Sequence, residues 1–382
     1  MQSLYDAVAQ VMATEWRRRE ATEHRHSRAF RCRCGNHIFF RNSLCLNCQA
    51  PLGYLPARAQ VVPLAPSGSP GLWRVPDESH EYKRCANLDT PAGCNWLLPA
   101  SDRLDLCVAC RLNRTIPDLA DEDNRRYWSA IEAAKRRLVS QLLALGLPVR
   151  SKLHEDPERG LMFDFLRSAP RAHVMTGHAS GLITLNVEEA DDAKREKMRH
   201  EMREPYRTLL GHFRHEVGHD YWDRLVRDSR MLEPFRGLFG DERADYGAAL
   251  KANYENGPPA DWATRFISSY ASTHPWEDWA ETWAHYLHVV DSLGTALGFG
   301  IDADDLEAHA VPFTRADLYD PDDADADRFL GLLNGWIEMT MVLNELARSM
   351  GQPDFYPFVM SRPVVAKLQF VQLIVRGAHG EG

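Results

Sequence analysis

Residues 215 to 219 read His-Glu-Val-Gly-His, a pattern suited to metal-assisted hydrolysis. On a helix, positions i and i+4 share a face, so His215 and His219 can direct both imidazoles at one ion. Glu216 then lies beside the metal, where it can act as general base, taking a proton from metal-activated water and passing it to a leaving amine. Gly218 removes a side chain where a second helix or a backbone segment can approach closely. A catalytic zinc commonly takes three protein ligands and keeps one position open. Candidates for the third lie in YASTHPWEDWAETWAHY, which begins at Tyr270. Pro275 suits a first helical turn, and Glu277 and Glu281 follow one turn apart on one face of a tryptophan-rich helix. Buried acidic groups there are costly unless a cation meets them. Spacing alone allows either glutamate to complete the set.

A second chemistry is written in the cysteines. All eight fall between Cys32 and Cys110. The first group is Cys32, Cys34, Cys45 and Cys48, and the second is Cys85, Cys94, Cys107 and Cys110. A Cys-x-x-Cys turn converges two thiolates on a tetrahedral ion, so two sets of four predict two structural zinc sites, paired in sequence order. Gly35 and Asn36 suit the positive φ of a zinc knuckle. His37 and His80 read as surface residues, since eight thiols suffice. The stretch from Leu55 to Glu78, rich in Pro, Gly and Ser, reads as a connector between the groups. So small a module buries little apolar surface, and metal is expected to hold it together.

Elements must position these groups. Asn124–Leu145 carries helical periodicity and ends at Gly146 and Pro148. His173–Thr176 and Leu182–Val187 read as the arms of a hairpin around two glycines, with an edge that could receive a substrate strand. The metal helix is expected over Pro205–Val226. Phe329–Met350 and Val364–Val375 read as covering helices. His285 and His288 read as helix-surface or orienting histidines. Asp241–Asp245 reads as a dipole-matched helix start, and Asp320–Asp327 as a solvated loop with a weak calcium alternative.

With these residues in view, His215-Glu216-x-x-His219, Tyr270 and Glu277-Asp278-Trp279-Ala280-Glu281 resemble the gluzincin arrangement and the active-site spacing of the catalytic domain of anthrax lethal factor. From the cysteines through TLLGHFRHEVGHDYWDRL and HPWEDWAETWAHYLH, about residues 30 to 350, the chain is similar to a family of zinc-binding metallopeptidases with an amino-terminal zinc ribbon. The resemblance implies zinc ligands His215, His219 and Glu277, base Glu216, and Tyr270 as donor to the oxyanion. Glu281 would then orient a histidine ligand. It implies an α+β, mostly helical zincin-like metallopeptidase domain over 115–382. An amino-terminal helix over 1–29 and a double zinc-ribbon module over 30–114 precede it.

Composition bounds the alternatives. Of 382 residues, 44% are hydrophobic and 26% charged, the profile of a soluble protein with a full core. Apolar runs such as Leu142–Leu147 fall far short of the roughly 20 residues of a membrane span. In the first 20 residues, acidic groups interrupt the apolar ones and arginines follow them, unlike a secretory signal, so a cytoplasmic location is expected. Up to Arg114 there are 15 basic against 10 acidic residues, a balance of +5; beyond it 30 stand against 44, a balance of −14. The acidic body argues against nucleic acid as a partner. The expected partners are a peptide or protein substrate and a protein at the zinc-ribbon module. Two rivals to a peptidase are a Spartan-like DNA-associated protease and a catalytically silent zinc-ribbon adaptor. In the first, the third ligand would be histidine and the ribbon would follow the catalytic part.

Overall fold

The computed structural model describes residues 3, 6, 28–169, 173–201, 204–301, 308 and 310–378. The helix expected over 1–29 lies outside them apart from these few positions. The chain forms two compact units: Thr22–Met202 with Leu297–Gly300, and Met1–Ala21, Arg203–Ala296 and Ile301–Gly382. Helices and sheets are mixed, and no described helix is long and apolar enough to cross a membrane.

The cysteine-bearing unit begins with β1 (Phe30–Arg31) and β2 (His37–Ile38), an antiparallel pair. β3 (Leu52–Leu55) pairs with β4 (Gln60–Pro63). β5 (Ala65–Pro66), β6 (Leu72–Arg74), β7 (Glu81–Arg84) and β8 (Leu97–Pro99) form an antiparallel sheet in that order. The stretch expected as a connector is therefore structured. Leu55, Val62, Leu64, Val75, Tyr82 and Leu97 make a buried core beneath it. Its prolines fall where a strand ends or a turn begins: Pro56 opens a 3-10 turn and Pro63 closes β4. Gly68 and Gly71 supply positive φ between β5 and β6. A sequence reading cannot tell such punctuation from a linker.

β9 (Asn113–Thr115), α1 (Glu122–Ala144) and β10 (Met162–Leu166) follow as a strand–helix–strand crossover. Asp121 caps α1, accepting from the Asn124 amide. β11 (Gly177–Ala179), β12 (Leu182–Asn186) and α2 (Asp192–Glu201) complete the unit. The sheet order is β11-β12-β10-β9, parallel except for the outer strand β11. The hairpin's first arm is Gly177–Ala179 and not His173–Thr176. Ser180 and Gly181, at φ 49° and 80°, make a two-residue turn, so pairing starts immediately beside it.

The second unit is helical: α3 (Leu209–Leu225), α4 (Leu232–Phe239), α5 (Tyr246–Asn256), α6 (Pro275–Gly298), α7 (Ala326–Ser349) and α8 (Arg362–Gly377). α3 starts at Leu209, not Pro205, because Thr208 caps it by accepting from the Gly211 amide at 3.0 Å. Its core is aromatic: Trp279 and Trp283 on α6 meet Tyr221, Phe235, Phe239 and Phe370. In the Asp320–Asp327 loop, Asp323 and Asp325 pair with Arg376, and Asp327 with Arg315.

Candidate metal centres and active site

In the first cysteine group, Cys32 Sγ lies 3.6 Å from Cys48 Sγ and Cys34 Sγ 3.7 Å from Cys45 Sγ. In the second, Cys94 and Cys107 are 3.7 Å apart. Within each group of four, all sulfurs lie within 4.8 Å of one another. Four thiolates at zinc's usual bond length of about 2.3 Å would sit about 3.8 Å apart, so the spacing fits a tetrahedral ion. A disulfide would need about 2.05 Å, and all eight cysteines are free. The first knuckle turns at Gly35, φ 82°, whose amide donates to Cys32 O at 2.8 Å. His37 and His80 are exposed, as expected.

The two clusters differ in their surroundings. Cys34 and Cys48 are exposed, whereas Cys85, Cys94, Cys107 and Cys110 are all buried. Asn47 donates to Cys34 at 3.4 Å and brings its thiol down to about 6. Burial pushes Cys32 up to about 12. Beside the second cluster, α1 presents a buried charge network. Glu132 lies 3.8 Å from Cys110 Sγ and accepts from Lys135 at 2.6 Å and Asn113 at 2.8 Å. Arg136 donates to Ala92 O at 2.8 Å. These contacts join α1 to the cysteine strands, and β9 pairs with β10. Compactness thus carries this unit past Arg114 to Met202.

The third group combines α3 and α6. His215 Nε2 lies 3.0 Å and His219 Nε2 3.6 Å from Glu277 Oε2. Ligands at about 2.0–2.2 Å from one tetrahedral ion would be about 3.3 Å apart. Glu277 Oε2 is buried without a hydrogen bond, which is costly unless a cation meets it. Burial opposes charge on His215 and on Glu277. Glu277 and then Glu281 outweigh it at His215, raising the imidazole well above its ordinary range, and His215 and then His219 lower the Glu277 carboxyl well below its own. Three converging ligand atoms, one of them a buried carboxylate oxygen, fit a zinc ion.

Packing sets this convergence. A Cβ on Gly218 would come within 3.1 Å of Ala280 Cα, so the glycine lets α3 and α6 approach closely. Trp279 Nε1 donates to Gly218 O at 2.8 Å, fixing the register of the two helices. His274 accepts the Trp276 amide at 3.1 Å, and Pro275 opens the helix. Glu281 sits one turn beyond Glu277, at the other side of the imidazole. Its Oε1 lies 2.7 Å from His215 Nδ1, and Ser268 donates to its Oε2 at 2.7 Å. Burial would raise the Glu281 carboxyl, but the hydrogen bond from His215 prevails and holds it at about 2. With Nδ1 so engaged, Nε2 faces Glu277.

Glu216 is buried on α3, and burial, then the charge of Glu277 and least that of Glu216, raises the Tyr246 phenol. The Tyr270 ring lies 6.0 Å from that of His215. Burial, then the charge of Glu277, raises the Tyr270 hydroxyl and keeps it a neutral donor. Asp278 leaves this face to meet Lys367 at 2.6 Å. His285 meets the Tyr356 hydroxyl at 2.7 Å and His288 meets Arg214 at 2.6 Å, so neither joins the three ligand atoms. In Asp241–Asp245, Asp241 pairs with Arg243 and Glu242 with Arg236. Asp245 caps α5, which begins at Tyr246 and not within the acidic run.

Two contacts were not foreseen from the sequence. Tyr246 donates to Glu277 Oε1 at 2.7 Å, and the Trp276 ring lies 4.1 Å from that of His219. Tyr246 stands 31 residues from Glu277, and no spacing rule connects them.

Three groups of potential metal ligands thus converge among the described residues, and the chain belongs to the family described as "Putative zinc-binding metallo-peptidase", which it matches over residues 124–374. Residues 29–121 match a zinc-ribbon domain. Relatives bearing the name uncharacterized protein, from Mycobacterium bovis and Mycobacterium tuberculosis, are 41% identical over 350 residues, 91% of this chain and 95% of theirs. No solved structure matches the chain.

Proposed function

We propose that this chain is a zinc-dependent peptidase of gluzincin type. His215, His219 and Glu277 would hold one catalytic zinc, and the two cysteine clusters one structural zinc each. The observation that carries the reading is Glu277 Oε2, buried without a hydrogen bond and facing two imidazole nitrogens. A zinc ion there supplies Lewis acidity, polarising a carbonyl and lowering the pKa of water toward neutrality.

The chain's own groups do the rest. Glu216 takes the proton of the attacking water as its oxygen bonds to the peptide carbonyl carbon. It delivers that proton to the amine as the C–N bond breaks. Tyr270 donates its neutral hydroxyl to the oxygen on which negative charge develops. Glu281 fixes the His215 ring by accepting from Nδ1. Peptides or proteins are the substrate class, because the reaction needs an amide carbonyl and a protonatable leaving amine.

Glu216→Gln keeps the shape of the carboxylate and removes the base. It should retain the wild-type zinc content while peptide-library cleavage falls by about 10²–10⁴. Full activity in that variant would remove Glu216 from the mechanism. A wild type that cleaves no library, with or without chelator, would favour an adaptor role for the cysteine module.

A further inference from the structure

We infer that Tyr246 is a positioning residue of the metal site, holding one oxygen of Glu277 so that the carboxylate offers only the other to the ion. The inference rests on the proposed zinc site. A carboxylate beside a dication can bind through one oxygen or both, and a second would occupy a position that a catalytic site keeps open. In this chain the two oxygens of Glu277 face different partners: Oε2 faces His215 and His219, and Oε1 accepts from the Tyr246 hydroxyl at 2.7 Å.

The segment that delivers Tyr246 is fixed at several points. Glu242 is ion-paired with Arg236, and His274 Nε2 meets Ala244 O at 3.1 Å. Asp245 accepts from the Ala248 amide at 3.0 Å, which starts α5 with Tyr246 as its first residue. The phenol ring stands edge-on to His274 at 5.3 Å and to Trp276 at 6.1 Å. His274 and Trp276 flank Pro275 at the start of α6, one turn before or beside Glu277. The acidic run Asp241–Asp245 thereby gains a purpose without binding metal itself. It anchors the donor for Glu277.

Tyr246→Phe tests this, since the ring and its packing stay and only the hydroxyl goes. Zinc affinity at the histidine site is read in the full chain by competition with a chelating indicator. The same site, stripped and reloaded with cobalt(II) while the cysteine clusters keep zinc, is read by its visible absorption. The expected result is zinc binding about 10–100-fold weaker than wild type, with weaker cobalt bands as Glu277 adds its second oxygen. The two cysteine-held zincs should be retained. Unchanged affinity and an unchanged cobalt spectrum would overturn the inference alone. A wild type holding zinc only at its cysteines would overturn both the inference and the proposed histidine site.

Discussion

The cysteine clusters and the histidine–glutamate cluster are built by opposite means. Cys32, Cys34, Cys45 and Cys48 lie on turns and irregular backbone, with the two-residue β1 and β2 beside them. Their sulfurs form closed sets of four, with nothing left to offer a substrate. His215, His219 and Glu277 instead project from helices of 17 and 24 residues. Those helices are pinned by Gly218, Trp279 and the buried Asp278–Lys367 pair. On the proposed reading a metal would organise the chain in the first case; in the second the chain organises a site for the metal and leaves it one ligand short of closure.

The contrast is broken most severely at the second cysteine cluster. Structural zinc binding in small modules is worth about 10–16 kcal/mol in apparent free energy, and here the cluster touches α1 through Glu132. Cys107→Ser should therefore cost the Thr22–Met202 unit its cooperative fold. Loss of amide-exchange protection in α1 would register this, and protection as in wild type would show that the metal is dispensable there.

A smaller effect is expected at Lys367. Lys367→Met strands Asp278 in the core, which should cost about 3–5 kcal/mol. Burial already holds Asp278 up at about 7. Its folded value exceeds the unfolded one, so protonation favours the folded state. The deficit should shrink as pH falls from 8 toward 5, as measured by urea unfolding. A deficit that grows on acidification would reverse the assignment.

Gly218→Val comes next, at about 1–3 kcal/mol from overpacking against Ala280. Zinc should weaken at the histidine site while the cysteine clusters keep theirs. Equal loss from all sites would mean that the helix contact has no special relation to the histidines. The smallest effect lies within the first cysteine cluster. On brief chelation, before the module loosens, iodoacetamide should label exposed Cys34, its thiol lowered to about 6, ahead of buried Cys32. Cys32, held up at about 12, should lag. Mass spectrometry of labelled peptides distinguishes them.

Short-range spacing made part of this legible in the sequence. His215 and His219 share a helix face by geometry alone, and the cysteines group in chain order because each set is local. Glu277 and Glu281 were harder, since both sit on one face of α6. Only packing decides which meets Nε2 and which meets Nδ1. The strands between Leu52 and Arg74 were hidden because prolines and glycines mark strand ends and linkers alike. Tyr246 was out of reach: its contact with Glu277 is created by folding the Asp241–Asp245 segment onto the start of α6.

The most direct test of the three-ligand site is zinc per chain by elemental mass spectrometry, on metal-replete, desalted wild type and Glu277→Ala. About three zincs falling to about two is the expected result, from two cysteine clusters and one His215–His219–Glu277 site. About two in both proteins would contradict it and leave the proposed peptidase without its metal.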